Sequence, residues 1–291
     1  MVSDIDIGDS IRAKDLKHAY ERKFSIDVAR FFPVNLVTLD KVLPFGYYIF
    51  RPTIPGDSQF YSDLMNRIAY DDGNKAEFLA AKEYVSGNEQ VLDVGSGPGR
   101  FSAFCNGSYK GVELNPEAVA EARRHGRNVV LEKLEDQPVA AFDVVTLFQV
   151  LEHVSEPEAF LAEAARRVAP GGRLIVSTPD MAGYMASSTN HVLNYPPHHM
   201  SWWTGDSLAA LMASNQLTAH AIWKEPLQQL HVTDWVESTL FPRRSKHFDF
   251  SAVAKAKRAI AKLGSLVATP FLRRAPHVTG QCVMVVGQRA A

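Results

Sequence analysis

The chain has 291 residues, with 31 lysines and arginines against 32 aspartates and glutamates. Hydrophobic residues make up 46% and charged residues 22%, a globular balance with ample core that excludes disordered, collagenous and fibrous classes. A charge so evenly balanced sets up no field toward nucleic acid, and no nucleic-acid partner is expected.

Cys105 and Cys282 lie far apart, which excludes a disulfide framework; both read as small core residues. No apolar run approaches the roughly 18 residues of a membrane span. The opening residues are acidic and lack the apolar stretch of a signal peptide, so a cytoplasmic protein is expected.

In chain order, residues 1–70 read as an N-terminal appendage. Pro44, Gly46, Pro52, Pro55 and Gly56 punctuate an aromatic stretch, Tyr47 to Phe50, which predicts short strands and turns. Helical spacing begins at Asn74 and runs through Phe78, Leu79, Lys82 and Tyr84 to a stop at Gly87. Strands are expected at 91–94, 109–113, 128–131, 143–149 and 173–178. Between them, Asn115 and Pro116 cap a helix that Gly126 ends, and Ser155 with Glu158 predicts a capping box for a second. A helix at 207–214, a strand at 217–224 and a last strand at 281–286 complete the pattern. Alternating strands and helices call for a mainly parallel sheet, an α/β fold.

The stretch Val91-Leu92-Asp93-Val94-Gly95-Ser96-Gly97-Pro98-Gly99 carries the most chemical information. A buried strand runs into a turn with glycine at alternate positions. That turn allows close backbone approach to a ligand at the carboxyl edge of a sheet. The spacing G-x-G-x-G differs from the dinucleotide fingerprint, and the chain has no phosphate-loop motif. Glu113 ends the next strand, where a carboxylate can accept two ribose hydroxyls. Further on stand Phe142 to Val154, containing Gln149 and Leu151-Glu152-His153, and Ala169 to Thr178, containing Pro170-Gly171-Gly172.

These ordered motifs resemble those of class I S-adenosylmethionine (SAM)-dependent methyltransferases, in particular the branch with the ubiquinone-biosynthesis O-methyltransferases. The resemblance covers roughly residues 75–225. It implies a Rossmann-like fold: a mainly parallel seven-stranded sheet with an antiparallel last strand. The methyltransferase domain would span 71–291, with a helical basic insertion at 226–278 before that strand. The resemblance further implies that Asp93, Gly95, Ser96, Gly97 and Gly99 surround the methionine part of SAM. Glu113 would hold the ribose, with Leu114 beside the adenine. Leu134 and Glu135 would meet the adenine ring, and Gln149 the sulfonium end. Lys133 stands where the family often has aspartate.

Activation of an acceptor calls for a base, and histidine titrates near working pH. His153, His191, His198 and His199 are the candidates near the carboxyl edge. His198 and His199 follow Pro196-Pro197 and precede Trp202-Trp203, so a fixed loop, two proton acceptors and an apolar wall coincide. Catalytic roles are expected of His198, His199 and His153, and no metal is expected. The alternative for His153 is a structural hydrogen bond, and for the pair, capping of the following helix.

Residues 241–275 carry nine basic side chains (Arg243, Arg244, Lys246, Lys255, Lys257, Arg258, Lys262, Arg273 and Arg274) against Asp249 alone. Val253, Ile260, Leu263 and Val267 share a helix face there. Two readings stand: a packed lid with a solvated polar face, or contact with an anionic membrane or substrate. The expected activity is O-methylation of a small molecule or glycan. N- or C-methylation, a non-catalytic SAM-fold scaffold and a nicotinamide-dependent oxidoreductase are the rivals.

Overall fold

The computed structural model describes residues 10–68, 75–85, 87–242, 247–272 and 278–291. The chain begins with β1 (Ser10–Arg12), α1 (Ala13–Phe24), β2 (Leu36–Val42), β3 (Tyr47–Arg51) and α2 (Ser58–Met65). There follow α3 (Ala76–Ala81), β4 (Gln90–Val94), β5 (Ser108–Val112), α4 (Pro116–Arg124) and β6 (Val129–Val130). Next come β7 (Phe142–Phe148), α5 (Pro157–Arg167), β8 (Val168–Pro179), β9 (Ser201–Trp202) and α6 (Gly205–Ser214). The last elements are β10 (Leu217–Pro226), α7 (Val232–Leu240), α8 (Ala252–Leu272) and β11 (Thr279–Arg289).

Two compact units share the chain. One comprises residues 1–69, 179–204 and 224–282; the other comprises 70–178, 205–223 and 283–291. The described residues 10–68 thus fold with the loop after β8 and with the described part of the basic insertion.

The second unit is built on the expected sheet, in the order β10-β11-β8-β7-β4-β5-β6. Strands β8, β7, β4, β5 and β6 pair in parallel. Strand β11 runs the other way, since Gly171 N donates to Ala290 O while Asp180 N donates to Gln281 O. The fold is a Rossmann-like α/β sheet with its last strands antiparallel. Its core gathers Val91, Val119, Val144, Ile175, Met284 and Val286 around three rings. Phe148 lies 4.7 Å from Phe101 and 4.9 Å from Phe78, so the segment after the glycine turn and helix α3 are pinned to β7.

Helix α4 starts as expected, with Asn115 Oδ1 accepting from Glu117 N and proline in the first turn. The capping box at Ser155 is not formed. Pro157, whose ring presets the helical φ, starts α5, so Glu156 becomes the cap residue and makes no side-chain bond. After the glycine turn the chain makes a 3₁₀ segment, Arg100–Phe104, in place of an α-helix start.

The first unit has a four-stranded antiparallel sheet, β1-β2-β3-β9, packed by α1 and α2. Leu16, Ala19 and Tyr20 of α1 are fully buried, as are Phe60 and Leu64 of α2. Trp203 stacks on Tyr47 at 4.2 Å, and Trp202 meets Phe50 edge-on at 5.2 Å. The two indoles therefore pack against rings of this sheet.

In the basic insertion, α8 packs on α7 through Ala261 and Ser265, with Ala268 and Leu272 partly buried alongside. Val253, Ile260, Leu263 and Val267 face solvent, which corrects the expectation of a packed lid helix held by those four residues. The small residues are the ones that let two helices approach closely, so they, and not the bulky row, form the contact. Arg243, Arg244, Lys246, Arg273 and Arg274 lie outside the described residues.

Candidate functional site

In the second unit, β4 delivers the glycine turn at the carboxyl edge of the sheet. Gly95, Gly97 and Gly99 have φ of +64°, +54° and +69°, a region where an L side chain is strained. A Cβ on Gly95 would stand 2.7 Å from Val150 Cγ2, and one on Gly99 would stand 2.6 Å from Val129 Cγ2. These two glycines let the turn close on its own neighbours. A Cβ on Gly97 meets nothing within 4 Å. The middle of the turn is where a ligand has room.

Asp93 is buried, and its carboxylate accepts from Tyr109 Oη at 2.8 Å and Thr146 Oγ1 at 2.7 Å. Burial raises its pKa to about 6, against the pull of those two hydrogen bonds. It ties β4, β5 and β7 together where the turn begins. The hydroxyl of Ser96 is buried against Gly111 of β5, where a Cβ would stand 2.5 Å from Ser96 Oγ.

Glu113 reads both loops at once. One carboxylate oxygen accepts from Gly97 N at 2.8 Å, and the other from Leu114 N and Asn115 N at 2.7 and 2.8 Å. Its remaining lone pairs can accept hydroxyls. Leu114 and Leu131 are exposed, at the ends of β5 and β6. Sequence reasoning misses Leu131; an apolar residue directly after a short edge strand is its signal. Leu134 is buried, and its carbonyl and that of Glu135 accept from the buried guanidinium of Arg167 at 3.2 and 2.9 Å. That loop therefore offers backbone and fixed shape, while the exposed apolar surfaces are Leu114 and Leu131.

Gln149 follows β7 with φ +56°, strained for a non-glycine residue. It is held there by Ser177, whose carbonyl accepts from Gln149 N at 3.0 Å and whose hydroxyl accepts from Nε2 at 3.4 Å. Just beyond, Glu152 is buried, with neither carboxylate oxygen hydrogen-bonded to another of the described residues. Burial pushes its pKa up to about 8; its own backbone N–H and the charge of Lys75 oppose the rise, and the charge of Glu77 adds to it. His153 Nε2 lies 3.8 Å from Glu152 Oε1, beyond hydrogen-bond reach.

This set fits SAM. A ribose needs hydroxyl acceptors, and Glu113 would supply them. A purine needs apolar walls, and Leu114 and Leu131 would supply them. The amino-acid end needs backbone approach, which the open face of Gly97 allows. A donor without phosphates needs no phosphate-binding lysine.

His198 and His199 belong to the first unit, in the loop before β9. Both are buried, and their rings stack at 4.5 Å. His198 Nδ1 lies 2.9 Å from Leu193 O, and a carbonyl oxygen only accepts, so Nδ1 carries the hydrogen. His199 Nδ1 lies 3.1 Å from Asn194 Oδ1, which fixes the same tautomer. In both rings the lone pair is then on Nε2. Backbone bonds from His198 N and His199 N to Tyr195 O hold the loop, and Tyr20 Oη donates to the same carbonyl. His191 is kept neutral by burial, which lowers its pKa to about 4.

Comparison with known proteins adds to this geometry. A methyltransferase-domain family model matches residues 58–222. A ubiquinone biosynthesis O-methyltransferase from Idiomarina loihiensis is 35% identical over 127 residues, covering 38% of this chain and 51% of that protein. One from Xanthomonas oryzae pv. oryzae is 34% identical over 116 residues, covering 36% and 48%. The chain thus spans about half the length of the curated relatives it matches. Among solved structures, the [4+2]-cyclase SpnF has 16% identity and a TM-score of 0.51, covering 82% of this chain and 99% of that one, a likeness of fold alone.

Proposed function

We propose that this chain, which belongs to the methyltransferase-domain family, is a SAM-dependent methyltransferase that methylates a hydroxyl of a small molecule or glycan. His198 or His199 takes the hydroxyl proton in this reading. The relatives named as ubiquinone biosynthesis O-methyltransferases support it, and they favour a small-molecule acceptor over a glycan.

The observation that carries the proposal is the tautomer of the histidine pair. SAM supplies a methyl group on a sulfonium, an electrophile that needs a nucleophile in line with it. A hydroxyl is a poor nucleophile until its proton leaves; even a phenol has a pKa of about 10. An imidazole with its Nδ1 hydrogen committed to a carbonyl presents Nε2 as the proton acceptor. Buried rings hold that orientation and exclude water, so little reorganisation remains at the moment of transfer. An amine acceptor already has a lone pair when neutral and has less need of such a base. The rival N-methylation is less favoured for that reason.

A transfer assay with methyl-labelled SAM and matched acceptors tests the proposal, each acceptor offered with a hydroxyl, an amine or neither. Label is expected in a methyl ether on the hydroxyl acceptor. Label found on the amine or on carbon alone would overturn it.

A further inference from the structure

Helix α8 presents its bulky apolar residues to solvent and its small ones to α7. Val253, Ile260, Leu263, Leu266, Val267 and Phe271 are between 51% and 74% exposed, whereas Ala261 is fully buried. A Cβ on Gly264 would stand 3.2 Å from Val236 Cγ1, which marks the contact side. At 100° per residue the six exposed residues fall within an arc of about 140° opposite that contact. Among the described residues of its own unit, such a face has no partner.

Three lysines flank the arc. Lys255 and Lys262 lie on one edge and Lys257 on the other, and α8 holds no acidic residue. Arg258 is different: it pairs with Asp234 and Glu237 of α7, so it fastens the two helices together. None of the ion pairs among the described residues takes up Lys255, Lys257 or Lys262. No helix among the described residues is long and apolar enough to cross a membrane.

We propose that α8 is an interfacial helix that docks the protein on an anionic lipid surface. The charge pattern selects that occupant. A second copy of the chain would bring the same three lysines against each other, and like charges repel. An anionic bilayer accepts the leucines, isoleucine, valines and phenylalanine into the headgroup boundary while the flanking ammonium groups meet phosphates. Arg258 and the small-residue seam keep the rest of the helix on the protein, so docking requires no unfolding.

Sedimentation of the full chain with vesicles tests this directly. The probes are phosphatidylcholine alone and phosphatidylcholine mixed with phosphatidylglycerol, each at low and physiological salt. Binding is expected on the anionic vesicles only, weakening as salt rises. Each cation near such a surface contributes about fivefold to partitioning, so Lys255→Glu, Lys257→Glu and Lys262→Glu together are expected to weaken binding by more than 100-fold. Leu263→Ser with Val267→Ser removes the apolar part and is expected to weaken binding while leaving the charges in place. All five positions are exposed or at the helix edge, so thermal unfolding of the variants should match the parent. Absence of binding to anionic vesicles at low salt overturns the proposal. So does vesicle binding that the serine variant leaves unchanged, or a parent that self-associates through this face in the absence of lipid.

Discussion

Alanine in place of the base among His198 and His199 is expected to lower methyl transfer by roughly 10²–10⁴-fold, the usual contribution of a positioned general base. SAM affinity should be nearly unchanged, because a general base acts on the acceptor's proton and not on the donor. Activity of the parent should fall on the acid side as the imidazole takes a proton and loses its acceptor nitrogen. The two rings stack on each other and hang on separate carbonyl oxygens, Leu193 O and Asn194 Oδ1. Loss of one can therefore loosen the other, and the double variant separates the two effects. Single-turnover rates with SAM binding measured in parallel give the answer. Rates within a few-fold of the parent in both single variants and the double variant would remove the pair from the mechanism.

The second large effect concerns stability. The Glu152 carboxyl, ordinarily at 4.5 when solvated, is raised to about 8 in the fold, by burial first, with neither oxygen hydrogen-bonded to another of the described residues. An acid whose pKa is raised by folding binds its proton more tightly in the native state. Native stability is then greatest below the unfolded pKa and declines as pH rises from about 4.5 to about 8. At about 1.4 kcal/mol per unit the full decline amounts to roughly 5 kcal/mol. Glu77 nearby, also raised by burial, adds to the trend, and Lys75 moderates it.

Glutamine at position 152 keeps the shape and removes the ionisation. Thermal unfolding of Glu152→Gln should match the parent near pH 5 and exceed it at pH 8, by on the order of 8 °C for a chain this size. Parallel curves for the two proteins from pH 5 to pH 8 would show that Glu152 does not carry the penalty.

The second unit is largely legible in the sequence because local rules and the global fold agree there. Alternating strand and helix signals set the order of elements, Asn115 and Pro116 mark α4, and the alternate glycines mark the tight turn after β4. Glu113 stands out by its place at the end of a strand. Its bonds to Gly97 N, Leu114 N and Asn115 N do not, since they depend on how two loops meet. The supporting roles of Tyr109, Thr146 and Arg167 are likewise tertiary.

The first unit is hardly legible. Helix α1 runs from Ala13 to Phe24 rich in charged side chains and without a side-chain cap, so its buried stripe of Leu16, Ala19 and Tyr20 stays hidden in a polar pattern. Three separate stretches of chain build that unit, and a sequence reading follows only one at a time. The face of α8 illustrates the same limit. Periodicity locates an apolar row, but whether the row or the small residues opposite are buried depends on α7.

Calorimetric titration with SAM and with NAD tests the donor pocket most directly, using the parent and two variants. SAM binding and no heat with NAD are expected of the parent. Glu113→Ala should weaken SAM by roughly 1.5–3 kcal/mol, the range for hydrogen bonds to a charged group. Gly97→Val should weaken it more, because a Cβ at that position meets no protein atom within 4 Å and its branches would fill the room left for the ligand. SAM bound equally by the parent and both variants, or NAD bound in place of SAM, would contradict the assignment of this pocket to SAM.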